Sequence, residues 1–260
     1  MKIRIRQQLA ALATTTFREA IRDKILYSLL FFAGLLLLVS MAMQEFTIGD
    51  QDKVVRSTAL GAIRLFGSII AIFLGIQLVY KELERKTIYT LAAKPLARWT
   101  FLLGKYLGLM AVLAVQLLLM GLFYVVLITL QQGFPDSGVF VSWFMLYLEL
   151  GLLTAWALLF SAYSSPTVAT AFCLSTFAIG HLADDIAMFG RQADSESVQR
   201  VAEIVYWILP NFEVFNAAPL AAHELPIPGG MVAGATAYGL GYTAVVLVVA
   251  MMVFANRDFK

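Results

Sequence analysis

Residues 61–105 read GAIRLFGSIIAIFLGIQLVYKELERKTIYTLAAKPLARWTFLLGK, and this stretch decides the fold. It begins with an apolar run that ends at Tyr80, continues with a charged segment, and enters a second apolar run at Thr100. Six basic and two acidic residues lie between Val79 and Lys105. An apolar helix needs roughly 20 residues to cross about 30 Å of hydrocarbon. The stretch therefore predicts two membrane helices joined by a charged connection outside the membrane.

The composition extends this prediction to the whole chain. Of its 260 residues, 60% are hydrophobic and 14% are charged, and the mean hydropathy is +0.80. These values exclude a soluble domain, in which about a quarter of the residues are charged. We predict an all-α membrane protein that forms one domain over residues 1–260. Its six transmembrane helices are expected within residues 25–43, 61–80, 100–130, 142–160, 167–182 and 231–255, of which the fifth run is the shortest.

The basic residues predict the orientation in the membrane. Fourteen of the nineteen Lys and Arg residues lie at the two termini, in the connection between the second and third runs, or beside it. Lysine and arginine near helix ends stay on the cytoplasmic side. With six crossings both termini lie on one side, so we expect both to be cytoplasmic. The expected location is the bacterial cytoplasmic (inner) membrane, as a multi-pass protein.

An amphipathic helix is predicted before the first crossing, over about residues 5–22. Apolar residues such as Leu9 and Leu12 recur at helical spacing, while most of the arginines fall on the other side. Such a helix is expected to lie in the inner membrane interface. Two interpretations stay open: an anchor for anionic lipid, or an elbow that leads into the first crossing.

The main outer segment is predicted over about residues 183–230. An apolar stripe over residues 198–209 stops at Pro210, which predicts an outer interfacial helix. The Pro-rich return PNFEVFNAAPLAAHELPIPGG follows it.

No motif in the sequence supplies catalytic chemistry. It contains neither the phosphate-binding pattern GxxxxGK[ST] nor GxSxG nor HExxH. His181, Asp184 and Asp185 are spaced so that they could ligate a metal from one helix face, but we interpret them as the polar outer end of the fifth helix. We therefore expect no enzyme activity, and no metal or cofactor bound by this chain.

Two ionisable residues lie within the predicted crossings. Arg64 and Glu149 are each expected roughly 5–10 Å below the outer boundary. Intramembrane charges are costly and are usually paired or functional. We predict that the two residues form a structural ion pair or face a translocation path. For Arg64, snorkelling to the outer headgroups is an equally good alternative.

Two glycine pairs have the spacing GxxxG, Gly104 with Gly108 and Gly230 with Gly234. This spacing allows close approach of helix backbones, but it is frequent in membrane helices. We interpret both pairs as ordinary packing positions.

The charged connection predicts a short cytoplasmic helix over about residues 82–93. It contains no Pro or Gly, is rich in helix-forming residues, and stops at Lys94 and Pro95. The residues alone are consistent with a basic loop that happens to be helical, or with a helix that docks through one face.

Four segments resemble the ABC transporter permeases of the ABC-2 type. They read TFREAIRDKILYSLL (16–30), YKELERKTIYTLAAKPLARWTFLLGKYLG (80–108), ILPNFEVFN (208–216) and FANRDFK (254–260). The resemblance spans the chain, and its second segment is the most specific. Lys86 departs from it, because many relatives have glycine before the Thr-Ile pair. This departure favours a more continuous helix.

The resemblance implies that residues 82–93 form a coupling helix, which inserts into a groove of a separate ATPase. The implied transmission residues are Glu82, Glu84, Arg85, Thr87 and Ile88, and the residues that fix the return into the third crossing are Pro95 and Arg98. The elbow helix, with Phe17, Arg18 and Arg22, is implied to pack beside the ATPase. The family further implies a homodimer of permease chains in the membrane lipid, with ATP and Mg bound by the ATPase chains and no nucleic-acid partner.

We therefore predict a membrane permease subunit of an ATP-driven transporter, and an exporter in particular, because members of that family mostly export. Two other classes stay open. An ion-coupled secondary transporter would need several buried acids or broken helices near the midplane. A non-transporting scaffold would use the charged helix to recruit a cytoplasmic partner.

Overall fold

The computed structural model of the protein describes residues 2–42, 51–84, 98–193 and 195–255. This part of the chain is helical and contains no strand. The first five helices are α1 (Lys2–Ile21), α2 (Lys24–Ala42), α3 (Gln51–Glu84), α4 (Arg98–Gln132) and α5 (Ser137–Tyr163). The remaining elements are α6 (Pro166–His181), α7 (Ala183–Gln192), α8 (Glu196–Ile208), a short 3-10 helix (Glu213–Phe215), α9 (Ala218–Ala222) and α10 (Gly229–Ala255).

Four of the described helices are long and apolar enough to cross a membrane. Their apolar portions are Asp52–Leu78 in α3, Trp99–Gln132 in α4, Ser137–Tyr163 in α5 and Gly229–Ala255 in α10. A fifth crossing results if α6 and α7, which meet at a bend of 62°, are counted as one span. The first predicted crossing corresponds to α2, whose apolar part, Leu26–Val39, is shorter. The described residues thus contain four or five candidate spans, and the total of six stays a prediction.

Helix α5 is the centre of the bundle. Eighteen of its 27 residues are buried, and it packs against α3, α4, α6 and α10. A helix that is apolar all round is expected to be surrounded by other helices. The main hydrophobic core therefore lies around α5, with α2 against α3 and α4, and α1 against α4. Any polar side chain on α5 must find its partners within the bundle.

Local interactions explain where α5 begins and ends. Asp136 caps its first turn, and the Gly138 N–H donates to Asp136 Oδ2 over 3.0 Å. This hydrogen bond, together with one from Ser137, holds the pKa of the Asp136 carboxyl below its ordinary value. At the other end, Ser164 caps α5, and Pro166 begins α6, where a missing N–H costs nothing. The two-residue link makes α5 and α6 packed neighbours.

We name the two ends of the bundle after the predicted orientation. The outer end carries Asp136, His181 and Gly229, and the inner end carries Glu84 and Arg98. The predicted interfacial helix is α8, which ends at Ile208, shortly before Pro210. The Pro-rich return then enters the outer end of the bundle, where Asn211, Phe212 and Phe215 are buried.

Candidate functional site

The outer end of the bundle contains a buried carboxylate, that of Glu149 on α5. Its side chain is fully buried. Arg64 on α3 donates from Nε to both carboxylate oxygens, over 3.0 Å to Oε2 and 3.3 Å to Oε1. The structure thus brings together the two ionisable residues that the sequence places inside crossings. The pair joins α3 to α5, and an opposite charge at this distance offsets part of the cost of burying both groups.

His181, the last residue of α6, adds a third helix to this pair. Its Nδ1 lies 2.9 Å from the Phe177 carbonyl oxygen. A carbonyl only accepts, so Nδ1 carries the proton and donates. Its Nε2 lies 3.4 Å from Glu149 Oε1. Glu149 therefore forms an ion pair with Arg64 and lies beside the end of α6.

The spacing of His181, Asp184 and Asp185 does not lead to a metal site. Asp184 Oδ1 accepts a hydrogen bond of 2.8 Å from Asn211 Nδ2. Within the described ranges, no group of three His, Cys, Asp or Glu side chains is arranged to hold a metal ion. His181 connects the end of α6 to α5, and Asp184 connects the first turn of α7 to the return segment.

The return segment is fastened to the same cluster through its backbone. Arg64 Nη2 donates to the Phe212 carbonyl over 3.2 Å, and the Phe212 N–H donates to the Gly180 carbonyl over 2.9 Å. The Phe212 ring stacks on the His181 ring with centroids 5.6 Å apart. A Cβ on Gly180 would lie 2.5 Å from both the Phe212 ring and the Pro210 carbonyl, so only glycine permits this approach. Arg64 therefore holds Glu149 and the return segment at once.

Asparagine and acidic side chains complete the turn after Pro210. Asn211 Oδ1 accepts from the Glu213 N–H over 2.9 Å, and the Asn211 N–H donates to the Tyr238 hydroxyl on α10 over 2.9 Å. Asn216 Nδ2 donates to Glu213 Oε1. Arg64 Nη1 lies 3.9 Å from Glu213 Oε2, at the edge of ion-pair distance. The PNFEVFN sequence is thus the segment that ties α3, α5, α6 and α10 together at the outer end.

Arg56, a second arginine of α3, holds the C-terminal part of the return segment. Arg56 Nε donates to Gln132 Oε1 at the end of α4 over 2.7 Å, and Arg56 Nη1 forms an ion pair with Glu224 Oε1. Glu224 has a φ of +54°, which is rare for a residue with a side chain. Arg56 and Arg64 are eight residues apart, or about 12 Å along α3. Arg64 thus holds the beginning of the return segment at Phe212, and Arg56 holds its later part at Glu224.

The space beside the Arg64–Glu149 pair is small. A cavity of about 20 Å³ is lined by Arg64, Glu149, Ser142 and Asn216, among others. A cavity needs about 10–15 Å³ to hold one water molecule. The cavity has room for about one water molecule, so the cluster is suited to positioning helices through ion pairs and not to enclosing a substrate.

At the inner end, α1 is seated on α4 through the first glycine pair. A Cβ on Gly104 would lie 2.6 Å from Leu12 Cβ, and one on Gly108 would lie 2.6 Å from Thr16 Cβ. Between them, Lys105 is almost fully buried, with Nζ 3.5 Å from Glu19 Oε2 and 5.9 Å from the centre of the Phe101 ring. The apolar side of the predicted elbow helix therefore packs on α4.

A comparison with protein families identifies the chain. The family model described as ABC-2 family transporter protein matches residues 10–259. The chain belongs to this family. A comparison with curated proteins found no match. Members of the ABC-2 family are membrane transport components and are not enzymes themselves, and ABC-2 permeases generally work with a nucleotide-binding ATPase partner.

The residues that the resemblance assigns to the coupling helix lie at or beyond the inner helix ends of this ABC-2 family transporter protein. Glu82 and Glu84 are in the last turn of α3. Arg98 is the first residue of α4. Arg85, Thr87, Ile88 and Pro95 lie outside the described residues. In α1, Phe17 packs against the main core, whereas Arg18 and Arg22 are exposed.

Several contacts of this ABC-2 protein are absent from the sequence-based prediction. These are the contacts of Glu149 with His181, of Phe212 with Gly180, of Arg56 with Glu224 and of Lys105 with Glu19. The contact of Lys105 with Glu19 is indicated by the position of Lys105 between Gly104 and Gly108. A helix that packs on these two glycines buries the lysine, which then needs an acidic partner from that helix. The signal for Arg56 was its position two turns before Arg64 on the same helix.

Proposed function

We propose that this protein is the permease subunit of an ATP-driven exporter, and that it couples to a separate ATPase through residues 82–93. The observation that carries the proposal is the family match over residues 10–259. The chain provides membrane helices and a path, and the ATPase provides hydrolysis. ATP and Mg are accordingly assigned to the ATPase subunit.

The arrangement of helices at the inner end supports the coupling role. The segment between α3 and α4 is attached to both of these long helices, and α3 reaches from that segment to Arg64 and Arg56 at the outer end. A displacement of residues 82–93 would thus act on a helix that holds the outer return segment. A packed bundle transmits such displacements because its interior is nearly incompressible.

The seating of α1 supports a second contact with the ATPase. Leu12 and Thr16 pack on Gly104 and Gly108, close to where α4 leaves the coupling segment. The exposed Arg18 and Arg22 lie on the same helix and remain accessible to a partner. In our proposal α1 and the coupling segment move as one unit with the inner end of α4.

The assembly we propose contains two copies of this chain and two ATPase chains, in the lipid of the bacterial inner membrane. Both termini face the cytoplasm, because the Lys and Arg residues concentrate near the termini and the second connection. ATP binding closes the ATPase pair, and the docked segments bias the permease between inward-facing and outward-facing arrangements. Such a bias requires only that the closed ATPase bind one arrangement more tightly than the other.

The test is a double substitution, Glu84→Ala with Arg85→Ala, in a tagged chain purified from its native membrane. The expected result is normal membrane insertion with loss of co-purified ATPase. The matched control is Glu196→Ala with Arg200→Ala, which removes one acid and one base from an exposed pair on α8 at the outer end. Equal ATPase recovery from both variants and the unaltered chain would reject the coupling assignment.

Failure to recover any ATPase with the unaltered chain would reject the wider proposal. Transport that persists without ATP and stops when the ion gradient is dissipated would instead indicate a secondary transporter. A stable cytoplasmic complex without ATP hydrolysis or transport would indicate a scaffold.

A further inference from the structure

Helices α7 and α8 form a hairpin that leaves the bundle at its outer end. Helix α6 has 16 residues, or roughly 24 Å, somewhat less than the hydrocarbon thickness of about 30 Å. The chain then bends by 62° into α7, whose first turn carries the exposed Asp184 and Asp185. An amphipathic, charged helix after such a bend is suited to lie along the membrane interface.

The hairpin is closed by contact between two small residues. A Cβ on Gly190 in α7 would lie 2.4 Å from the Cβ of Ala202 in α8, and both residues are buried. Gln199 Nε2 donates to the Ala193 carbonyl over 2.8 Å and holds the turn. Because the helices touch at this point, each side of the hairpin forms its own groove.

One groove is apolar. It has a volume of about 590 Å³, and its lining includes Ile179 from α6, Ile186 and Phe189 from α7, and Val198 and Val201 from α8. Among the residues that the structure describes, its lining contains no ionisable side chain. Phe189 is 73% exposed and Val201 is 61% exposed. Apolar side chains exposed together at this scale mark a surface that is covered by something other than water.

The other groove carries charged and polar side chains beside apolar ones. It has a volume of about 450 Å³ and is lined by Arg191, Gln199, Glu203 and Tyr206, among others. An exposed Glu196–Arg200 ion pair also lies on α8. The hairpin is thus amphipathic as a unit, with its two sides separated by the contact between Gly190 and Ala202.

The apolar groove includes one residue of α6, the apolar helix that precedes the hairpin. Ile179 lies less than one turn before the end of α6, within the bent span. The same helix exposes Phe172 and Leu174 deeper in the span. With this span in a membrane, a groove whose lining includes Ile179 would open toward hydrocarbon, and the groove that carries charged side chains would open toward water and headgroups.

We propose that the apolar groove of the α7–α8 hairpin seats the acyl chain of an outer-leaflet phospholipid. An acyl chain matches an uncharged groove that opens toward hydrocarbon. The bound acyl chain holds the hairpin parallel to the membrane surface and keeps Asn211 and Asp184 at the level of the Arg64–Glu149 pair. The proposal depends on membrane insertion of the bundle and does not depend on the direction of transport or on ATPase coupling.

Site-directed spin labelling in phosphatidylcholine nanodiscs tests this assignment. The single native cysteine, Cys173, is buried and is first changed by Cys173→Ala. Labels are attached at Val201→Cys in the apolar groove and at Glu203→Cys on the polar side of the same helix. Phe172→Cys is the reference for a lipid-exposed position. Oxygen partitions into hydrocarbon and a nickel chelate stays in water, so their collision rates report the surroundings of each label.

For the Val201 label we expect a ratio of oxygen to nickel collisions severalfold above that of the Glu203 label and close to that of the Phe172 label. A nickel-accessible Val201 label would overturn the proposal, because the groove would then face water. Protection from both reagents, with dipolar coupling between labels of two copies, would overturn it in favour of a second chain on the groove. All labelled positions are exposed, so the labels themselves leave the packed core unchanged.

Discussion

Arg64 Nε donates to Glu149 Oε2 over 3.0 Å, and this contact joins α3 to α5 near the outer end of the bundle. Glu149 is fully buried, whereas the Arg64 side chain is 16% exposed. Removing one partner of a buried pair leaves an uncompensated charge where solvation is poor. Removing both partners leaves no such charge. The contact therefore predicts strong coupling between substitutions at the two positions.

Glu149→Gln is expected to lower the free energy of unfolding by about 3 kcal/mol, because the Arg64 charge then lacks its carboxylate. Arg64→Gln is expected to act in the same direction, and the double variant to lose much less than the sum. Denaturant unfolding in detergent micelles measures all three. The control is Glu196→Gln with Arg200→Gln, an exposed pair that contributes only about 0.3–0.5 kcal/mol. Strictly additive losses at Arg64 and Glu149 would rule out coupling.

The sequence predicts those parts of the fold that depend on composition and local spacing. The apolar runs, the end of α8 before Pro210 and the helical character of α1 follow from residues close together in the chain. The two buried charges are recognisable because hydrocarbon makes any intramembrane ion conspicuous. The sequence predicts a similar depth for Arg64 and Glu149, and this is its only indication that the two charges lie close together.

Contacts between distant segments are not predictable in the same way. Glu149 meets His181 because α5 and α6 pack side by side and α6 ends at His181, level with a point on α5 twelve residues, or about 18 Å, from its outer end. Arg56 and Glu224 are 168 residues apart, and their pairing depends on the path of the return segment. The spacing of Gly104 and Gly108 is identical to that of Gly230 and Gly234, yet within the described part of the chain only the first pair meets another helix. Spacing alone does not specify the partner of a small-residue surface.

The two glycine pairs provide a matched comparison. Gly104→Ala with Gly108→Ala is expected to lower the free energy of unfolding by about 1–3 kcal/mol, because each added Cβ would lie 2.6 Å from an atom of α1. Gly230→Ala with Gly234→Ala meets nothing within 4 Å and should leave stability unchanged or slightly improved. Unfolding of the monomer in detergent measures both. Equal effects would show that α1 is not seated on Gly104 and Gly108.

The cap of α5 predicts a pH dependence. The pKa of Asp136 is lowered in the folded protein, chiefly by the hydrogen bond from the Gly138 N–H. Its contribution to stability is therefore fully present above the unfolded pKa of about 3.9 and is lost as the pH falls through the lower folded value. Asp136→Asn keeps a good cap but does not titrate. The melting temperature should consequently fall less between pH 6 and pH 3 in the variant; an equal fall would exclude this group as a source of acid sensitivity.

Glu224 combines an ion pair with a left-handed backbone, and two substitutions separate these features. Glu224→Gly removes the ion pair with Arg56 but supplies the residue that adopts a φ of +54° without steric cost. Glu224→Ala removes the same ion pair and keeps the strained backbone. We expect the Gly variant to be more stable than the Ala variant by roughly 1 kcal/mol, measured by denaturant unfolding.

Gly133→Ala is the control for backbone conformation alone, because Gly133 has a φ of +94° and open space around its Cβ position. It should lose stability although no side-chain contact changes. If Glu224→Ala is as stable as Glu224→Gly or more stable, residue 224 does not have the left-handed backbone. The pairing of Arg56 with Glu224 would then require a different path of the return segment.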